Sequence, residues 1–107
     1  MRKGEIWLID LTDGKGHEQQ GMRPGLVVGK GGGLIITIPL TSNLDRSNMP
    51  FTEIIDCTPH NGLRENSVAL IFQIISLDQE RFKHKKGEIT KEQYETIHSI
   101  LMDMTRV

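Results

Sequence analysis

A chain of 107 residues is long enough to bury one core without disulfides or a structural metal, and a single domain spanning residues 1–107 is expected. Its 13 Lys and Arg against 14 Asp and Glu leave no overall positive field, so any nucleic-acid binding has to rest on a local patch. The lone Cys57 excludes an internal disulfide, no Cys/His spacing suits zinc, and no apolar run approaches the roughly 18 residues of a membrane span; with charges too early for a signal peptide, this predicts a soluble, cytoplasmic protein.

In chain order, "EIWLIDL" (5–11) is short, apolar and rich in β-formers, and reads as a largely buried strand. "TDGKGHEQQGMRPG" has Gly and polar groups without helical period and is expected to be a long loop, of the length that is often functional in compact domains. "LVVGKGGGLIITIPL" is two β-branched runs around a glycine cluster, the pattern of a hairpin, with Pro39 expected at the end or edge of the second strand because it cannot donate to a ladder. The cluster "GKGGG" lacks the third glycine of a dinucleotide fingerprint and the Lys-Ser/Thr of a P-loop, so a flexible turn accounts for it better than phosphate binding does.

"FTEIIDC" (51–57) returns to strand composition, "TPHNGL" reads as a turn, and "SVALIFQII" (67–75), the most apolar run, is expected to be the central strand. The basic cluster "KHKK" reads as a charged surface loop that can touch a phosphate backbone, with His84 solvated, like His60 and His98. Tyr94, Ile97, Leu101 and Met104, widened by Ile100, predict a C-terminal helix, with Thr90 and Gln93 in a capping-box arrangement and Ile89 placed to staple against Tyr94. About five short strands and a terminal helix, without repeats or linkers, point to a small barrel.

The chemistry gathers in "GHEQQGMRPGLVV" (16–28), which holds His17, Glu18, Gln19, Gln20 and Arg23. A guanidinium grips phosphate at two points, while imidazole and carboxylate can move protons. Thr41 and Ser42 offer hydroxyls where the next strand ends, and antiparallel pairing brings Arg23 and Thr41 to the same end of the hairpin. On residues alone, a surface loop with a Glu18–Arg23 salt bridge and a turn-capping hydroxyl is the simpler reading.

"RKGEIWLIDL", "GHEQQGMRPGLVV", "ITIPLTS" and "SVALIFQIISLDQERF", in this order and spacing, resemble the MazF, PemK and Kid family of bacterial toxins from about Lys3 to Arg81. The resemblance implies an SH3-like barrel of five to seven strands with short helices, a homodimer, and a metal-independent endoribonuclease that needs no cofactor. Such an enzyme cuts single-stranded RNA at short sequences through the RNA's own 2′-hydroxyl, arrests growth and is neutralised by a cognate antitoxin. It assigns Arg23 to the phosphate clamp and Thr41 to a hydrogen bond on the same phosphate; the base for the 2′-hydroxyl is His17, matching the proton-transfer histidine of some Kid-like members, or Glu18, and Glu18, Gln19, Gln20 and Ser42 are expected to face the RNA. Kid-like members carry an Arg and an Asp on the strand where this chain has Leu70, Phe72 and Ile75, so that catalytic pair is absent here. Two other functions are weighed: a non-catalytic or weakened RNA- or protein-binding barrel, and a gyrase inhibitor similar to CcdB, against which the ending Thr105-Arg106-Val107 argues because it lacks a Trp-Gly-Ile tail.

Overall fold

The structure, a computed structural model, describes residues 1–12 and 21–106. Its strands are β1 (Glu5–Asp10), β2 (Met22–Gly31), β3 (Leu34–Thr41), β4 (Thr52–Ile55), β5 (Ser67–Leu70), β6 (Ile75–Leu77) and β7 (Phe82–Glu88), followed by helix α1 (Lys91–Thr105). All pairings are antiparallel, in the order β4-β5-β3-β2-β1-β7, with β6 added to the side of β3. The two ends of this path, β4 and β7, do not pair with each other, so the expected small barrel is present in an open form.

The glycine cluster is the predicted hairpin turn. Gly31 pairs with Leu34, and the two residues between them, Gly32 and Gly33, have φ of 60° and 81°, the left-handed pair a two-residue type I′ turn requires. Farther down the hairpin the register shifts between Val27 and Gly29, leaving Val28 as the extra residue of a bulge. Its carbonyl accepts a hydrogen bond from the Tyr94 hydroxyl at 3.2 Å, which ties α1 to β2.

Three expectations are corrected. Met22 to Gly25, expected in the loop, begin β2: Pro24 pairs with Leu8 and Gly25 with Trp7, and Pro24 falls one residue beyond the last β2–β3 pair, Gly25 with Pro39. β3 runs through Pro39 to Thr41; Pro39 sits between the stretch paired with β6 (Ile35 to Thr37) and the stretch paired with β5 (Leu40, Thr41), where a missing N–H removes no ladder bond on that side. "SVALIFQII" is not one central strand but β5, a 3₁₀ turn at Ile71–Gln73, and the start of β6. The 3₁₀ turn carries the chain from one half of the β3 edge to the other, so β3 and β2 take the central place.

Alternating side chains fill two cores on opposite faces. Leu26, Ile38, Leu40, Ile55 and Ile71 join Ile97 of α1 in one; Val27, Ile35, Leu77 and Phe82 join Ile9 in the other. Only Ile97 of the helix is fully buried, with Tyr94, Ile100, Leu101 and Met104 packing around it, as the three- and four-residue spacing predicts. Each such side chain contributes about 2 kcal/mol of burial. The Thr90 hydroxyl caps the helix by accepting from the Gln93 N–H at 3.1 Å.

Candidate functional site

The end of β1 and the start of β2 are tied together. Asp10 pairs with Met22, the Leu11 N–H donates to the Gly21 carbonyl at 2.8 Å, and Arg81 reaches from below β7 to donate to the Asp10 carbonyl at 3.1 Å. His17, Glu18, Gln19 and Gln20 lie outside the described residues. Arg23 and Thr41 lie inside them. The β2–β3 ladder closes at Gly25 and Pro39; β2 extends three residues beyond it to Met22 and β3 two to Thr41, which puts Arg23 and Thr41 at the same end at positions that extend the register. Thr41 is buried at 5 % exposure, and its hydroxyl oxygen accepts the Asn43 N–H at 3.2 Å, leaving the hydroxyl proton to donate. Arg23 is half-buried and Ser42 exposed.

Beside this end lies an open groove of about 330 Å³. One wall is the end of the hairpin, with Met22, Arg23, Pro24, Leu40 and Ser42; Leu8 of β1 lies among them, and β7 supplies His84 and Lys86. The third side is the segment after β4, with Leu63, Arg64, Glu65 and Ser67. Strand alternation turns the Thr41 side chain away from its groove-lining neighbours Leu40 and Ser42, and Thr41 itself does not line the groove.

The segment from residue 56 to 66 is held firmly. The Asn61 carboxamide, 2 % exposed, accepts from the N–H groups of Thr58 (3.1 Å) and Leu63 (3.0 Å) and donates to the Asp56 carbonyl (2.9 Å). The Glu88 N–H donates to the His60 carbonyl at 3.2 Å. Gly62 and Gly87 face this contact: a Cβ on Gly62 would collide with the Lys86 carbonyl, and one on Gly87 with the His60 carbonyl. Two glycines thus let the backbones of this segment and β7 touch.

"KHKK", expected to be a loop, is part of the edge strand β7, with bulges that leave Lys83 and Lys86 as extra residues opposite β1. Its cations fall into two sets at alternate positions. The Lys83 ammonium donates to the Glu80 carbonyl, and Lys85 pairs with Glu5 at 3.4 Å and Glu88 at 3.7 Å, while His84 and Lys86 line the groove. Arg64 is therefore a candidate site residue that the sequence did not disclose, while His84 and Lys86 come from the basic cluster read as a surface loop able to touch a phosphate backbone. Arg23, Arg64 and Lys86 against Glu65 supply the local positive patch that the nearly neutral chain has to provide. Among the described residues, no three His, Cys, Asp or Glu side chains gather as a metal site, and no helix is long and apolar enough to cross a membrane.

An open antiparallel barrel covered on one face by a C-terminal helix, with a cationic groove at the mouth of its central hairpin, places the chain among small open-barrel β proteins. The sequence model of the PemK-like, MazF-like toxins of type II toxin–antitoxin systems matches residues 2–105, and the chain belongs to that family. It is 33 % identical over 100 residues to the endoribonuclease MazF9 of Mycobacterium tuberculosis, covering 84 % of this chain and 83 % of that protein. It is 26 % identical over 106 residues to the endoribonuclease MazF of Staphylococcus saprophyticus, covering 94 % and 88 %. The crystal structure of MazF from Deinococcus radiodurans superposes with a TM-score of 0.80 over 97 % of this chain and 94 % of that one, at 24 % identity, and shows the same fold.

Proposed function

We propose that the chain is an endoribonuclease toxin that cuts single-stranded RNA without a metal ion. The observation that carries this reading is that Arg23 lines a cationic groove at the end of the β2–β3 hairpin, where Thr41 occupies the position that extends the register to it. Two relatives bearing the name endoribonuclease support it. The 2′-hydroxyl oxygen attacks the adjacent phosphorus as its proton passes to a base, and the bond to the 5′-oxygen breaks. The products are a cyclic phosphate and a 5′-hydroxyl that has taken up a proton. Arg23 grips the phosphate and offsets charge developing on its oxygens, and the Thr41 hydroxyl donates to the same group. Arg23 cannot serve as the base because a guanidinium stays protonated; His17, with an ordinary imidazole pKa of about 6.5, takes that role, while Glu18, Gln19, Gln20 and Ser42 face the RNA. A homodimer and a cognate antitoxin with an acidic, disordered segment complete the reading.

Purified protein is expected to cleave single-stranded RNA in EDTA, and Arg23→Ala to lower kcat/KM by about 100-fold or more. Equal rates for Arg23→Ala and the parent would remove Arg23 from the site. Binding without cleavage across diverse RNA sequences would favour a non-catalytic barrel instead.

A further inference from the structure

We infer that Arg64, His84 and Lys86 form a second phosphate-binding subsite, which holds an RNA phosphate flanking the one gripped by Arg23. This rests on the ribonuclease reading. Arg23 and Lys86 line one continuous groove, so a strand whose reacting phosphate sits at Arg23 has its neighbouring phosphates along the Arg64 and Lys86 walls.

Three observations select these residues from the other surface cations. Among the described residues, neither Arg64 nor Lys86 is held in an ion pair, whereas Lys85 and Arg2, outside the groove, are tied to Glu5 and Glu88. His84 and Lys86, two residues apart on β7, both line the groove, while Lys83 and Lys85 are held by the Glu80 carbonyl and by Glu5 and Glu88. The walls are also fixed relative to each other: the Gly62 and Gly87 contact, the Glu88-to-His60 hydrogen bond and the filled Asn61 carboxamide anchor the segment carrying Arg64 to the strand carrying Lys86. A preset pair of cations loses little freedom when an anion arrives. Glu65 lines the same groove, one carboxylate against the three cations Arg23, Arg64 and Lys86.

The test uses a single-stranded RNA that the parent protein cuts, chosen by mapping cleavage ends, and steady-state kinetics of Arg64→Gln, Lys86→Gln and the double variant. Glutamine keeps much of each stem and removes the charge. The double variant is expected to raise KM about tenfold with kcat little altered, and to flatten the salt dependence of log kcat/KM by about 0.7 for each phosphate no longer neutralised. Unchanged KM and salt slope overturn the subsite, as does a fall in kcat alone, which would place these groups in the chemical step. If RNA kinetics are unchanged while affinity for a polyglutamate peptide drops, the wall belongs to an acidic protein partner and the inference fails. A parent protein that cuts no RNA overturns the ribonuclease reading, and the subsite with it; a cutting parent with an unaltered double variant overturns the subsite alone.

Discussion

Glu5 is a carboxylate with a side chain only 7 % exposed, on a strand whose neighbours are apolar. Burial pushes its carboxyl up, but the Trp7 indole donating at 2.8 Å, the Arg2 backbone and the Lys85 ammonium outweigh burial and hold it below the ordinary carboxylate range. A carboxyl lowered by folding stabilises the protein above its unfolded pKa of about 4.3, and that stabilisation is lost as pH falls through the folded value. Glu5→Gln is therefore expected to cost about 1–2 kcal/mol in urea unfolding at about pH 7, with the gap closing near about pH 3. A gap of the same size at both pH values would mean that packing, not charge, sets the cost. That Arg23 and Thr41 lie at one end of the hairpin was legible at this scale, because antiparallel pairing of one local hairpin relates them. Arg64 and Lys86 were not, since their proximity depends on two segments, far apart in the chain, meeting in a way that no local pattern encodes.

Among the elements, the hairpin and α1 were readable from turn chemistry and helical spacing, while β7 was hidden. Two bulges in seven residues erase the two-residue alternation that marks a strand, and three lysines protect an exposed sheet edge while resembling a solvated loop. The break in "SVALIFQII" was illegible for a different reason. Val68, Ala69, Leu70 and Ile71 are all fully buried, so hydropathy is blind to the point where strand gives way to 3₁₀ turn. Gly87 shows how closely these elements depend on one another. Gly87→Ala is expected to force β7 and the 58–62 turn apart, lowering stability by about 1–3 kcal/mol in urea unfolding. If the unfolding midpoint is unchanged, the two backbones do not meet as described.

At the scale of the whole molecule, formal charge of −1 conceals a cationic groove, because acidic residues such as Asp56, Glu80, Glu92 and Asp103 lie elsewhere on the surface. Large apolar side chains are also left uncovered: Leu44, Met49, Phe51 and Ile54 around the edge strand β4 are 36–45 % exposed, and Met102 on α1 is 57 % exposed. Phe51 holds a left-handed φ of 58°, a conformation unusual for an aromatic residue, with its carbonyl fixed by the Ile71 N–H at 3.1 Å. Exposed apolar groups of this kind suit the proposed homodimer. Light scattering at micromolar concentration is expected to give twice the 12.1 kDa chain mass, and a mass of one chain would contradict it.

Asn61 followed by Gly62 is, in a loose chain, a short-lived pair of residues: the glycine nitrogen can attack the asparagine side chain, expel ammonia and leave a succinimide that opens to an acidic residue. The fold denies that attack, because the Gly62 N–H donates to the Thr58 carbonyl at 3.1 Å and the Asn61 carboxamide is fixed on three sides. The packing that aligns the groove therefore also slows the chemical ageing of the protein, and each opening of the 58–62 turn exposes the pair to irreversible damage.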